Sequence, residues 1–336
     1  MTMNHVPPTE NPLLRLEGLK TYYPIRKGVL GRTSGHIKAV DDVNLDIYAG
    51  ETIGLVGESG CGKSSIGRTM LRLEPVHSGR IVFEGEDITN YSHRRMKNLR
   101  TQLQIIFQDP YSSLNPRKRV GDLIAEPMLA HRLASRREAE IEVSRLLELV
   151  GLPSSAKSRF PHEFSGGQRQ RVGIARALSL KPKLIVCDEP VSALDVSIQA
   201  QILNLFRDLQ QELNLTYVFI AHGLGAVNYI STRIAVMYLG KIVEIGTKED
   251  VFASPKHPYT HSLLLANPVT HPRLREQDRF ILEGDVPSPE NPPAGCRFHT
   301  RCPYADAKCR EVEPELSGSG TPSHQVACHY PLAEGV

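Results

Sequence analysis

No apolar run in this 336-residue chain approaches the ~20 residues that a membrane helix requires. The segment from Met1 to Pro12 has neither a charged n-region nor an apolar h-region, so no export is expected. The chain is therefore expected in the cytosol, reaching any membrane through a partner. Charge of one sign is also scarce. A net +3 is too small to make nucleic acid the main partner, and none is expected. Local basic clusters exist at His93-Arg94-Arg95 with Lys97 and Arg100, at Arg117 to Arg119, and at Arg132 with Arg136 and Arg137. They read as solvated faces and loops, with lipid headgroups or a membrane-proximal partner as the alternative. The six cysteines include no Cys-x2-Cys pair, which removes the spacing of the common zinc folds.

The composition, 40% hydrophobic and 23% charged, is that of a chain able to bury a sizeable core. Its length allows one large domain or two ordinary ones. Leu14, Leu16 and Leu19, then Val43, Leu45 and Ile47, alternate as strands do, and the run Ile53 to Val56 is a further strand. Residues from Asp109 to about Pro161 are rich in Glu, Arg, Leu and Ala. Leu146, Leu147 and Val150 fall on one side of a charged stripe there, which predicts a helical insertion. Buried-strand runs then return at Leu184 to Cys187 and Tyr217 to Ala221. Continuous apolar runs between helices predict a parallel sheet covered on both faces. Ile234 to Glu244, broken by Gly240, predicts a hairpin. Beyond about Pro255 proline and cysteine become dense, marking a C-terminal appendage near the size where a core alone is marginal.

Gly57-Glu-Ser59-Gly60-Cys61-Gly62-Lys63-Ser64, with Ser65 after it, is a phosphate loop placed between a strand and a helix predicted from Lys63 to about Leu73. Glycine backbone N–H groups at the positive end of a helix bind polyphosphate without steric obstruction. Lys63 is placed for the terminal phosphates and the Ser64 hydroxyl for Mg²⁺. The strand Leu184 to Cys187 ends in Asp188 and Glu189, at the strand end where ligands bind in open α/β sheets. Asp188 is placed to hold Mg²⁺ through water and Glu189 to polarise an attacking water. Alone, an Asp-Glu pair after an apolar run is weak, and gains force only beside the phosphate loop. Ser165-Gly166-Gly167-Gln168 opens a helix in which Val172, Ala175 and Leu178 share a face, while Arg169, Arg171 and Arg176 are polar. It reads equally as an ordinary capped helix and as a second anion-binding helix end.

Together these residues resemble an ABC transporter nucleotide-binding subunit, and more closely the F-type ATPase of bacterial oligopeptide/dipeptide importers, over nearly the whole chain. Gly57–Ser64 matches the Walker A loop and Leu184–Glu189 the Walker B strand with its catalytic glutamate. Phe164–Arg171 matches the signature, Gln108 the Q-loop, Ser192–Asp195 the D-loop with Asp195, His222 the switch histidine, and Tyr23 the aromatic that stacks on adenine. The resemblance implies an α/β P-loop NTPase fold with a RecA-like core, an antiparallel β subdomain and a helical subdomain, plus a small cysteine-containing C-terminal domain. The expected boundaries are a flexible 1–12, an ATPase domain over 13–255 with its helical subdomain at about 109–165, and the C-terminal domain over 256–336. It implies ATP and Mg²⁺ as cofactors, the metal being held by Ser64, Gln108 and Asp188. It implies a heterodimer with a second related ATPase, two membrane permease subunits, an indirect solute-binding protein, and a peripheral place on the cytoplasmic face of the bacterial inner membrane. One departure from the pattern is Gly223, where the family usually has Asp.

The tail, with His257–Thr260 and Asn291–Phe298, follows the same family. Members with four such cysteines bind an iron–sulfur cluster, so the resemblance implies [4Fe–4S] on Cys296, Cys302, Cys309 and Cys328. From the residues alone, four thiolates suit Zn²⁺ or a cluster, and free or disulfide-forming thiols remain an alternative, as does a redox sensor regulating transport. Cys61 and Cys187 read as structural. A soluble ABC ATPase acting in repair, translation or cluster assembly is the other functional class. The coiled coil of the first and the second ATPase domain of translation types are missing from the sequence, and the third would lack the cysteine tail. The transported solute is expected to be a di- or oligopeptide, with glutathione, a nickel complex or an oligosaccharide as alternatives.

Overall fold

The computed structural model describes residues 11–27, 32–109, 113–221, 223–266, 284–318 and 323–333. The switch-histidine candidate His222 lies outside the described residues. The strands in chain order are β1 (Leu14–Lys27), β2 (Arg32–Ile47), β3 (Thr52–Val56), β4 (Ser78–Phe83), β5 (Glu86–Asp87), β6 (Leu103–Ile106), β7 (Leu184–Asp188), β8 (Thr216–Ile220), β9 (Arg233–Tyr238), β10 (Lys241–Thr247), β11 (Ser317–Gly318) and β12 (Gln325–Val326). The chain forms two compact units. One holds 1–47, 53–89 and 222–336, the other 48–52 and 90–221.

In the first unit, β1 pairs antiparallel with β2 and β4, and β4 with β5. Leu14 faces Ile47 and Leu16 faces Leu45 in that register. All four are buried, so the period-two spacing seen in the sequence puts one face of the sheet inside. β3, from Ile53 onward, runs parallel to β9, and β9 turns back as β10 through Leu239 and Gly240. This is the hairpin predicted over Ile234 to Glu244. β10 then pairs with β12 and β12 with β11, so the end of the described chain extends the hairpin. Glu244 of β10 is fully buried. Its carboxylate accepts from the backbone N–H of Lys256 at 2.7 Å and of His257 at 2.9 Å, and lies 2.7 Å from His324 Nε2. A buried carboxylate is tolerated where several donors meet it, and here they tie both the Pro258–Leu265 helix and the last strands to β10.

In the second unit β6, β7 and β8 run parallel, with β7 in the middle. β7 and β8 are buried along their whole length, as strands covered on both faces must be. The predicted helical insertion is present as the Val120–Ala130 and Arg136–Leu149 helices, followed by short 3-10 turns. Ser135 and Glu138 form a capping box at the second helix. Leu146, Leu147 and Val150 are all buried, so the stripe read from the sequence is the packed one.

Candidate nucleotide site

The phosphate loop is in the first unit. β3 delivers the chain to Gly57, and the Lys63–Met70 helix starts immediately after Gly62. The predicted helix end at Leu73 falls three residues short, at Met70, because Leu71 leaves helical geometry and Arg72 turns left-handed at φ 54°. Gly62 is left-handed at φ 106°, and a Cβ there would lie 2.0 Å from the Ala39 carbonyl oxygen. This position admits only glycine. Ser59 and Gly60 are exposed at the loop tip, and Ser64 and Ser65 are half-buried at the helix start.

Lys63 is 4% exposed, yet its ammonium donates to the carbonyls of Gly57 at 2.7 Å and Glu58 at 2.9 Å. The cation is thus held inside the curl of the loop by backbone oxygens, close to where its own N-terminal helix end favours an anion. Burial pushes the Cys61 thiol up, against the pull of Lys63, so this cysteine stays a neutral packing residue. Tyr23 is half-buried on β1, opposite Ile37 of β2. Its neighbour Tyr22 donates to Asp41 at 2.5 Å. Burial opposes the charge of Asp41, but Tyr22 and Arg297 hold its carboxyl below the usual range.

The second unit carries the other candidates. Asp188 and Glu189 are 2% and 6% exposed at the end of β7. Glu189 is left-handed at φ 51°, a conformation that costs a non-glycine residue about 1–2 kcal/mol. It is over-determined: its N–H donates to the Ile220 carbonyl at 3.0 Å, and its carboxylate accepts from Gln108 Nε2 at 2.9 Å. Two candidate residues 81 positions apart are thereby brought together. Strain of this kind is kept where it aims a side chain.

Ser165 caps the Gly166–Leu178 helix with a full capping box. It accepts from the Gln168 N–H at 3.4 Å, and its own N–H donates to Gln168 Oε1 at 3.0 Å. Gly166 and Gly167 follow, and a Cβ on Gly167 would meet Ile198 at 2.4 Å. The arginines of this helix do not form an outer polar face. Arg169 is buried and donates to the Pro161 carbonyl at 2.7 Å, and Arg176 donates to the Ser113 carbonyl at 2.6 Å. They strap the insertion to the signature helix, a role that a helical-wheel reading does not reveal because it sees only the helix itself. Asp195 is the exposed residue before the Val196–Leu213 helix and makes no side-chain cap.

Gly223 opens the Leu224–Ile230 helix at φ −87°, and a Cβ there meets nothing within 4 Å. Nothing in the backbone demands glycine. Gly223→Asp is expected to fold normally and to raise the melting temperature slightly, by the few tenths of a kcal/mol that separate Asp from Gly as an N-cap. A thermal melt showing a loss of several degrees would contradict this.

The four C-terminal cysteines line one pocket, together with His257 and Phe298. Burial pushes Cys296 up to about 11 and Cys328 up to about 12, and neighbouring thiols add to both. These two thiols are therefore neutral as they stand, and binding a metal centre would require them to lose their protons. Among the described residues, however, no three His, Cys, Asp or Glu side chains are grouped as ligands of a single metal ion. The expectation of a metal or cluster therefore has converging thiols behind it and no preformed mononuclear site.

Comparison with known proteins agrees with this geometry. Residues 40–192 match the family described as ABC transporter, and residues 243–309 that described as oligopeptide/dipeptide transporter, C-terminal region. The chain is 52% identical to the oligopeptide transport ATP-binding protein AppF of Bacillus subtilis, over 95% of this chain and 98% of the relative. It is 47% identical to the oligopeptide transport ATP-binding protein OppF of Salmonella typhimurium, over 97% and 98%. Among solved structures, the ATP-binding cassette MJ0796 bound to ADP and Pi is 25% identical with a TM-score of 0.63, covering 70% of this chain and 98% of that one. CbiO1 from Clostridium perfringens is 29% identical, also at 0.63, covering 73% and 92%. The fold is that of an ABC nucleotide-binding domain, with antiparallel and parallel sheets. No helix among the described residues is long and apolar enough to cross a membrane. The chain belongs to the ABC transporter family, among the ATP-binding proteins of oligopeptide and dipeptide transporters.

Proposed function

We propose that this chain hydrolyses ATP to power the uptake of di- or oligopeptides through membrane partners. The observation that carries the solute class is the match of residues 243–309, outside the ATPase segment, to the oligopeptide/dipeptide transporter C-terminal region. Lys63 would take the phosphates, Ser64, Gln108 and Asp188 are the residues that would hold Mg²⁺, and Tyr23 would stack on the base. Glu189 polarises the attacking water, and His222 senses the γ-phosphate. The signature residues Ser165 to Gln168 and Asp195 serve an ATP held by a second, related ATPase, so each site is shared across a heterodimer. Two transmembrane permease subunits complete the importer, with a solute-binding protein as an indirect partner, and this chain sits peripherally on the cytoplasmic face of the bacterial inner membrane. The exposure of Ser165, Asp195 and Val196 supports an interface there.

The same proposal gives the C-terminal domain a [4Fe–4S] cluster on Cys296, Cys302, Cys309 and Cys328. Four cysteines lining one pocket, with no preformed mononuclear group among the described residues, support a cluster with one thiolate per iron over a zinc tetrahedron. Such a cluster would supply a structural staple to a domain of marginal size. Iron and acid-labile sulfide near four each per chain are expected in anaerobically purified complex, and stoichiometric zinc would reverse that assignment.

The importer reading is tested by reconstituting the complex in proteoliposomes with ATP inside or outside. Accumulation of a labelled tripeptide that requires ATP on this subunit's side is expected. ATP-driven uptake of glutathione, a nickel complex or an oligosaccharide, with no peptide uptake, would replace the solute.

A further inference from the structure

The phosphate loop contains a carboxylate. Glu58 follows Gly57 directly, in a loop built to wrap a polyanion. An uncompensated negative charge there would oppose every phosphate the loop receives. It is compensated from far along the chain. Arg301 donates both guanidinium nitrogens to Glu58, Nη1 at 2.8 Å and Nη2 at 3.1 Å, across 243 positions of sequence. The pair is largely shielded, with side-chain exposures of 6% for Arg301 and 24% for Glu58. Low exposure makes the bidentate contact both strong and costly to leave half-made.

A second contact has a different character. The backbone N–H of Glu58 donates to the hydroxyl of Tyr259, at 2.8 Å, and Tyr259 is fully buried. That bond fixes the loop's path but carries no net charge. Arg301 Nη1, which donates to Glu58, also reaches the Tyr238 hydroxyl at 3.5 Å, at the end of β9. The same C-terminal segment makes a matching contact near the adenine-side candidates: Arg297, four residues earlier, pairs with Asp41, the acceptor of Tyr22.

We propose that Arg301 and Tyr259 are positioning residues for ATP: Arg301 neutralises the loop carboxylate Glu58 so that the loop accepts a triphosphate, and Tyr259 fixes the loop backbone. The C-terminal region is thus part of the nucleotide site's support, in addition to any role it has with cysteine ligands. This rests on the reading of Gly57–Ser64 as the nucleotide loop. Loss of binding in Lys63→Ala checks that reading separately.

The test is a set of nucleotide affinities on the full chain, measured with a fluorescent ATP analogue and its ADP counterpart at low and high salt. Arg301→Gln is expected to weaken ATP by about tenfold and ADP by less, because the exposed Glu58 charge repels the more highly charged ligand more. The gap narrows as salt rises. Glu58→Gln with Arg301→Gln is expected to bring ATP affinity back to within about threefold of the parent, since the repelling charge is gone. Tyr259→Phe is expected to weaken ATP and ADP equally and without salt dependence. A double variant as weak as Arg301→Gln alone would overturn the charge argument and leave a merely structural contact. Arg301→Gln binding ATP within about twofold of the parent would overturn the proposal altogether, as would equal losses for ATP and ADP in that variant.

Discussion

Glu189→Gln is expected to lower steady-state ATP turnover by about 10²–10⁴-fold, the range for loss of a positioned general base. The substitution keeps the shape of the side chain. The amide can still face Gln108, whose Nε2 now donates to the carboxylate at 2.9 Å, and the left-handed turn at φ 51° is set by the backbone N–H bond to Ile220. What disappears is the group able to take a proton from water. Nucleotide affinity is therefore expected to stay within about threefold of the parent, since the proposed function puts the phosphates on Lys63 and the loop N–H groups. Single-turnover hydrolysis by the assembled complex, measured beside equilibrium binding, separates the two quantities. Unchanged turnover would remove Glu189 as the base. Equal losses of binding and turnover would make it a structural residue of the strand end.

Gln108→Ala offers a graded comparison. Without Gln108 the Glu189 carboxylate loses one hydrogen bond, and turnover is expected to fall by about tenfold, less than for loss of the base itself. A larger loss in Gln108→Ala than in Glu189→Gln would assign the main effect of Gln108 to the Mg²⁺ that it is also proposed to hold.

The parts of the fold written in local pattern were readable from the sequence. Alternation at Leu14, Leu16, Val43, Leu45 and Ile47 found β1 and β2, and the unbroken runs at Leu184 and Tyr217 found two fully buried parallel strands. The phosphate loop was legible because its chemistry needs glycine at fixed offsets, and the structure supplies the reason at Gly62. What pattern does not carry is pairing over long separation. In the sequence Glu58 is one residue of the phosphate loop and Arg301 is the residue before a cysteine. Neither carries a local signal of the other, because an ion pair across 243 positions leaves no periodicity. The inward-turned arginines of the signature helix, one buried and one half-buried, escaped for a related reason. Charge usually marks the solvent face, but Arg169 and Arg176 spend their donors on backbone carbonyls of the neighbouring insertion. His222 lies outside the described residues, so its role stands on the sequence motif.

Gly62→Ala is expected to abolish measurable nucleotide binding, a loss of at least about 100-fold, and Gly60→Ala to leave the fold nearly intact. Both glycines are left-handed, at φ 106° and 78°. Conformational strain alone therefore costs each alanine on the order of 1–3 kcal/mol. The difference lies in the surroundings. A Cβ at Gly62 would sit 2.0 Å from the Ala39 carbonyl oxygen and 2.8 Å from the Met237 Cε, whereas at Gly60 it meets nothing within 4 Å. The Met237 side chain can swing away. The Ala39 carbonyl belongs to the backbone of β2 between the paired residues Lys38 and Val40, so it has far less freedom to move than a side-chain end. Gly62 is also the residue from which the Lys63–Met70 helix departs, and its carbonyl accepts the first helical bond from Ile66 at 2.9 Å. Moving it tilts the helix N-terminus and withdraws the Lys63 ammonium from the Gly57 and Glu58 carbonyls together. Thermal melts and nucleotide titrations of the two variants, run in parallel, check this. Nucleotide binding by Gly62→Ala within about tenfold of the parent would mean that the loop reaches its working shape by a path that does not need the left-handed turn, and the preformed cradle would no longer explain the site.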